Sequence, residues 1–113
     1  MDDIPLHPID NEDLIKKLPY KLKGKFTQVN FTGHARIRMV ERNITEEEVM
    51  DALENPHGQH PLPDQPTRTR DYISQRYDEV HVVWEPELGY SYRLAVITVI
   101  RKQKKPMIRR KRK

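Results

Sequence analysis

The run L-A-V-I-T-V-I at residues 94–100 constrains the fold more than any other stretch of this chain. It is dense in β-branched residues, and side chains alternate sides along a strand, so Ala95, Ile97 and Val99 make one face apolar while Leu94 and Val96 make the other apolar too. A strand of that kind has to be covered on both sides. It belongs inside a sheet or at a contact with a second copy. The longer segment Tyr90 to Ile100 is therefore expected as the main strand, with Leu94, Val96, Thr98 and Ile100 on a common face. Upstream, Val80 to Trp84 is a second clear strand with Val80, Val82 and Trp84 on one side. Between the two, P-E-L-G is a turn in which Gly89 can take a positive φ, so the strands should be antiparallel neighbours. Residues Arg68 to Arg76 form a third, more polar strand.

The half before these strands carries helix punctuation. Thr32 can cap a helix over Gly33 to Arg42 by accepting a hydrogen bond from an early amide, and Asn43 suits its end. Thr45 and Glu48 have the T-x-x-E spacing of a reciprocal capping box, Ile44 and Val49 occupy its hydrophobic-staple positions, and Glu46 to Glu48 suit the positive end of the helix dipole. That helix should stop by Asn55, before Pro56. Asn11 is expected to cap a further short helix through Leu18, ended by Pro19. The stretch E-N-P-H-G-Q-H-P-L-P-D-Q-P-T has four prolines and reads as a loop or irregular edge between a helical half and a sheet half. A chain of 113 residues suits one domain. Its expected parts are an extension with a short helix at 1–25, a domain at 26–101 and a basic tail at 102–113.

Charge distribution separates tail from body. Nine of the 21 Lys and Arg fall in residues 101–113, which hold no acid, while residues 1–100 have twelve cations against seventeen anions. The tail is too charged and too poor in apolar residues to pack, so it is expected as a disordered arm, with Lys102, Lys104, Lys105, Arg109 and Arg110 available to RNA phosphates. The other reading of this arm is a solubilising terminus. Zero cysteines exclude a disulfide framework, a thiolate zinc site and a cysteine nucleophile. No apolar run reaches the ~20 residues of a membrane-spanning helix, and the start lacks the basic-then-apolar order of a secretory signal. A soluble, cytoplasmic protein with no membrane partner is the expectation.

His34, Arg38 and Arg42 fall at i, i+4 and i+8 of the Gly33–Arg42 helix and form one stripe, beside Ala35 and Met39. Such cations can grip a phosphate bidentately, and an imidazole changes protonation near neutral pH. The competing reading pairs Arg38 with Glu41 and Arg42 with an acid of the next helix. Arg68, Arg70, Arg76 and Arg93 could offer phosphate contacts from the sheet, or stand as exposed charges that discourage edge pairing. Tyr72 and Tyr92 could stack on a base or belong to the core. His81 reads first as a hydrogen-bonded structural histidine. His57 and His60 make a weak metal pair without third and fourth ligands, so no metal and no cofactor is expected. There is no Gly-rich phosphate loop, no G-x-S-x-G and no H-E-x-x-H.

The run F-T-x-H-A-x-x-R-M-x-E-R-x-I-T-E-E-E-V at 31–49, followed by A-L-x-N-P at 52–56, resembles small toxin-like domains of uncharacterised function related to the RelE and barnase–EndoU–colicin ribonuclease assemblage. The resemblance covers roughly residues 26–101 and includes the closing L-A-V-I-T-V at 94–99. It implies an α+β fold with two N-terminal helices packed on an antiparallel meander sheet of about four strands. It also implies metal-independent RNA cleavage, in which a ribose 2′-hydroxyl attacks the adjacent phosphate. His34 would be base or acid, Arg38 and Arg42 would stabilise the phosphoryl charge, and Thr98, matching the closing-strand threonine, would orient a phosphate. RNA, in some relatives presented on a ribosome, and a cognate antitoxin or inhibitor protein are the implied partners. A non-catalytic module that binds RNA or a partner protein on the same fold is the alternative, favoured by the lack of an evident second proton-transfer group. The oligomeric state is left open by the sequence.

Overall fold

A computed structural model describes residues 12–104. In chain order these are β1 (Leu14–Leu22), β2 (Phe26–Phe31), α1 (Gly33–Glu41), α2 (Glu46–Glu54), β3 (Gly58–Pro61), β4 (Thr69–Ser74), β5 (Asp78–Pro86) and β6 (Arg93–Gln103). The strands form one six-stranded sheet among the described residues, in the order β1-β2-β6-β5-β4-β3. All neighbours are antiparallel except β2 and β6, which are parallel.

This corrects the expected architecture. The fold is not two N-terminal helices on a four-stranded meander: a hairpin precedes the helices, which lie between strands, and the sheet is mixed. The segment expected as a short helix before Pro19 is the edge strand β1. Pro19 falls where the β1–β2 register shifts between Lys17 and Leu22, a bulge on an edge strand, where a missing amide donor costs no ladder bond. The cap expected at Asn11 lies outside the described residues. The hairpin closes through Lys23 and Gly24, both at positive φ.

The helices form as their caps require. Thr32 Oγ1 accepts from Ala35 N at 3.2 Å, and the complete Thr45/Glu48 capping box opens α2. Asn43 stands at φ 53° and turns the chain between them. β2 ends at Phe31, so β6 loses its strand neighbour beyond Val96. There α1 takes over: Thr32 N and Oγ1 both donate to Val96 O. α1 packs on β6, and α2 on β4 and β5, all on one side of the sheet. The core between the layers includes Phe31, Val49, Leu53, Ile73, Val80, Val82, Leu94, Val96 and Val99.

A second correction concerns β6. Trp84 pairs with Val96 but Val83 pairs with Thr98, so β6 carries one extra residue at Ile97. The bulge breaks the simple alternation. Leu94 and Val96 face the core, whereas Thr98 and Ile100 face away from the helices, because Val99 beside them is fully buried in the core. β6 also runs through Gln103, so the first residues of the expected arm belong to the sheet. Lys105, Arg109 and Arg110 lie outside the described residues.

In the Pro-rich stretch, expected as a loop or irregular edge, Gly58–Pro61 adds an edge strand to β4. Four residues suffice because the edge position tolerates Pro61.

Candidate functional site on the helix-free face of the sheet

The stripe on α1 does not assemble into one site. His34 is exposed near the start of the helix. Arg38 Nη1 is spent on Glu41 at 2.5 Å, an i, i+3 pair. Arg42 Nη1 donates to Val99 O at 2.6 Å, filling a carbonyl on the β6 edge that no strand reaches. Thr98 projects from the opposite face, so the structure does not bring the four expected catalytic residues together.

It collects a different set. Asp71, Ile73, Val80, Val82 and Val99 are buried on the helix side, so their alternating neighbours Arg70, Tyr72, His81, Val83, Thr98 and Ile100 share the other face. His60 pairs with Arg70, Arg70 with Val83, and Val83 with Thr98, which makes one continuous row across β3, β4, β5 and β6. Directly paired residues have Cβ atoms about 4.5–5.5 Å apart, so His60 and Arg70 are ladder neighbours, and the His60 ring lies 6.2 Å from the ring of His81, which holds Arg70 Nε. Thr98, two strands further on, is about 10 Å from Arg70.

Arg70 is held from behind. Its Nε donates to His81 Nδ1 at 2.9 Å, and His81 Nε2 lies 2.9 Å from Glu79 Oε1. Accepting from arginine requires a bare Nδ1, so the ring carries its hydrogen on Nε2 and donates it to Glu79. Burial, and then the charge of Arg70, push the His81 pKa down against the opposing pull of Glu79. His81 is only 3% exposed. The His81 hydrogen bond in turn holds the Glu79 carboxyl below the usual carboxylate range. With both nitrogens engaged, His81 orients Arg70 and has no free nitrogen for proton transfer.

Tyr72 completes the cluster. Its ring lies 5.1 Å from both the His60 and His81 rings, in planes within 19° of each. It lies across its β3 partner Gly58, where an added Cβ would meet the ring at 2.6 Å and the hydroxyl at 2.9 Å. Glycine at 58 is what lets Tyr72 take that position. His57 anchors the start of β3, its Nδ1 accepting from Ser74 N at 2.7 Å. Of the three histidines here, His60 is thus the exposed one without a ring hydrogen bond among the described residues. No group of three or more potential metal ligands occurs among the described residues.

Lys102 continues the face beyond Ile100, opposite Glu79 on β5. Lys104 follows, its amide bonded to Tyr77 O and its ammonium to Gln75 O. Of the cations expected to meet RNA, Arg70 and Lys102 therefore share the helix-free face. The sequence reading missed His60 as a member of this cluster, because only the β3–β4 register brings it beside Arg70.

The profile of a family described as Domain of unknown function (DUF4258) matches residues 31–101. The chain belongs to the DUF4258 family. The DUF4258 match runs from the last residue of β2 into β6, and so contains the whole His60–Arg70–Val83–Thr98 row together with Tyr72, Glu79 and His81. No curated protein and no solved structure matches the chain. No helix among the described residues is long and apolar enough to cross a membrane.

Proposed function

We propose that this chain is a metal-independent endoribonuclease whose working surface is the helix-free face of the sheet. The observation that carries the reading is the adjacency of His60 and Arg70, with Arg70 aimed by His81 and Glu79. RNA cleavage by its own 2′-hydroxyl needs a base for that hydroxyl, an acid at the leaving 5′-oxygen and positive charge where the phosphorane develops. His60 takes the 2′-hydroxyl proton as the oxygen attacks phosphorus. Arg70 receives the charge growing on the phosphoryl oxygens, a task for which a planar fork of donors is suited. The Tyr72 hydroxyl gives its proton to the departing 5′-oxygen. The P–O5′ bond breaks, leaving a 2′,3′-cyclic phosphate and a free 5′-hydroxyl. Thr98 is too far from Arg70 to hold the same phosphoryl group, and meets a neighbouring part of the bound strand.

The resemblance of residues 31–49 to the RelE and barnase–EndoU–colicin assemblage points to the same chemistry, although His34, which that resemblance nominates, lies on α1 away from this face. A second reading, a non-catalytic RNA-binding face, is favoured by one observation: both nitrogens of His81 are engaged, which leaves a single free imidazole in the cluster.

Incubation of the purified full chain with mixed RNA in EDTA separates the two. Products ending in 2′,3′-cyclic phosphate, absent when the RNA carries 2′-O-methyl groups, are the expected result. RNA left intact both free and in a translation assay, yet bound, establishes the second reading.

A further inference from the structure

The β4–β5 turn presents Tyr77 with 71% of its surface in solvent. The guanidinium of Arg76 sits 5.1 Å from the centre of its ring. The backbone beneath is fixed, because Tyr77 O accepts from Lys104 N at 3.0 Å and Gln75 N donates to Asp78 O at 2.8 Å. Lys102 and Lys104 bring two further cations to this end of the sheet. The nearby acids are already engaged, Glu79 by His81 and Asp78 by Arg101. An exposed, backbone-anchored aromatic ring among cations is the combination that holds unpaired bases, whose π-faces stack while the backbone is met by charge.

The position relative to the row matters. Arg70 pairs with Val83, and Ser74 with Glu79, so the Ser74 end of β4 lies about 13 Å along the strands from Arg70. Tyr77 comes three residues later, just before β5. Its distance from the His60–Arg70 pair is therefore that of several nucleotides, and Ile100 and Lys102 lie on the face between.

We infer that Tyr77, with Arg76, Lys102 and Lys104, is a base-stacking site for single-stranded RNA, which lies across the helix-free face between Tyr77 and the His60–Arg70 pair; this rests on the ribonuclease reading for its choice of substrate. A duplex cannot use Tyr77, since its bases are already stacked and paired.

The test is fluorescence anisotropy of a labelled single-stranded 2′-O-methyl RNA, and of the same strand in a duplex, over a range of salt concentrations. This RNA has no attacking hydroxyl, so binding is read independently of cleavage, which is followed in parallel on ordinary RNA. The wild type should bind the single strand more tightly than the duplex. Tyr77→Ala should weaken single-strand binding about tenfold, the order of one lost base stack, with duplex binding and the salt slope unchanged. Tyr77→Trp should retain wild-type affinity, and Lys102→Ala should instead lower the salt slope. Equal binding by wild type and Tyr77→Ala, equal loss in Tyr77→Trp and Tyr77→Ala, or no preference for the single strand overturns the inference. Cleavage that persists under any of those outcomes leaves the ribonuclease reading standing; stacking without cleavage removes that reading and keeps the RNA site.

Discussion

His60 and Arg70 stand directly opposite one another across the β3–β4 ladder, a pairing made by a four-residue edge strand inside a proline-rich stretch. The relationship depends on register. A slip of one residue would send His60 to the other face, away from Arg70, Tyr72 and His81. Gly58 and Tyr72, two residues along the same ladder, are the contact that supports this register from the side-chain layer.

Gly58→Ala tests that support. The new Cβ would enter the space of the Tyr72 ring, and the free end of a tyrosine can swing away, so the chain should still fold with its thermal midpoint little changed. RNA cleavage should fall at least tenfold as the Tyr72 hydroxyl leaves its place. Full activity in Gly58→Ala would show that Tyr72 has no part in the reaction.

Acid should loosen the protein through His81. Its folded pKa lies below the ordinary value of about 6.5, so the unfolded chain binds a proton that the folded chain refuses. The stability this gives is fully present above pH ~6.5 and is lost as pH falls through the lowered folded value. A protonated ring also cannot accept from Arg70 Nε. Urea unfolding between neutral pH and about pH 5, above the range where carboxylates ordinarily titrate, should show the decline. His81→Gln, which no longer titrates, should flatten it.

Asp71 is a buried carboxylate on the core side of the sheet. Lys23 Nζ and Trp84 Nε1 both donate to its Oδ2, at 2.7 and 3.0 Å, and the Asp71 side chain is wholly buried. Lys23 also lies 5.0 Å over the Trp84 ring. Asp71→Ala removes the carboxylate and leaves a mostly buried ammonium without its counter-charge, a change that costs about 3–5 kcal/mol in comparable pairs. Denaturant unfolding should register a loss of that order. Asp71→Ala combined with Lys23→Met should recover part of it.

Much of the fold was legible where the signal is local. The Thr32 cap and the Thr45/Glu48 box open the two helices, and β4, β5 and β6 follow their β-branched and alternating stretches. What escaped was decided by distant parts of the chain. β1 resembled a capped helix because Leu14, Ile15 and Leu18 also fit helical spacing, and only pairing with β2 makes it a strand. The parallel β2–β6 pair joins residues more than sixty positions apart, with no pattern in either segment to announce it. The bulge at Ile97 left no mark in an apolar run, yet it sets which face Thr98 takes. The candidate face was legible in parts: Arg70 and Thr98 were named, but His60 was read within a loop or irregular edge, whose pairing to β4 no local pattern announces. The α1 stripe has the right spacing, and intramolecular partners absorb Arg38 and Arg42.

The most direct measurement of the central claim sets His60→Ala beside His34→Ala, both as full chains verified by circular dichroism, in the RNA cleavage assay with EDTA. Loss of an acid–base group ordinarily costs 10²- to 10⁴-fold in rate, and the expected result is a loss of about that size in His60→Ala with His34→Ala near wild type. The opposite pattern, activity kept without His60 and lost without His34, would contradict the assignment of the helix-free face and return the reaction to α1.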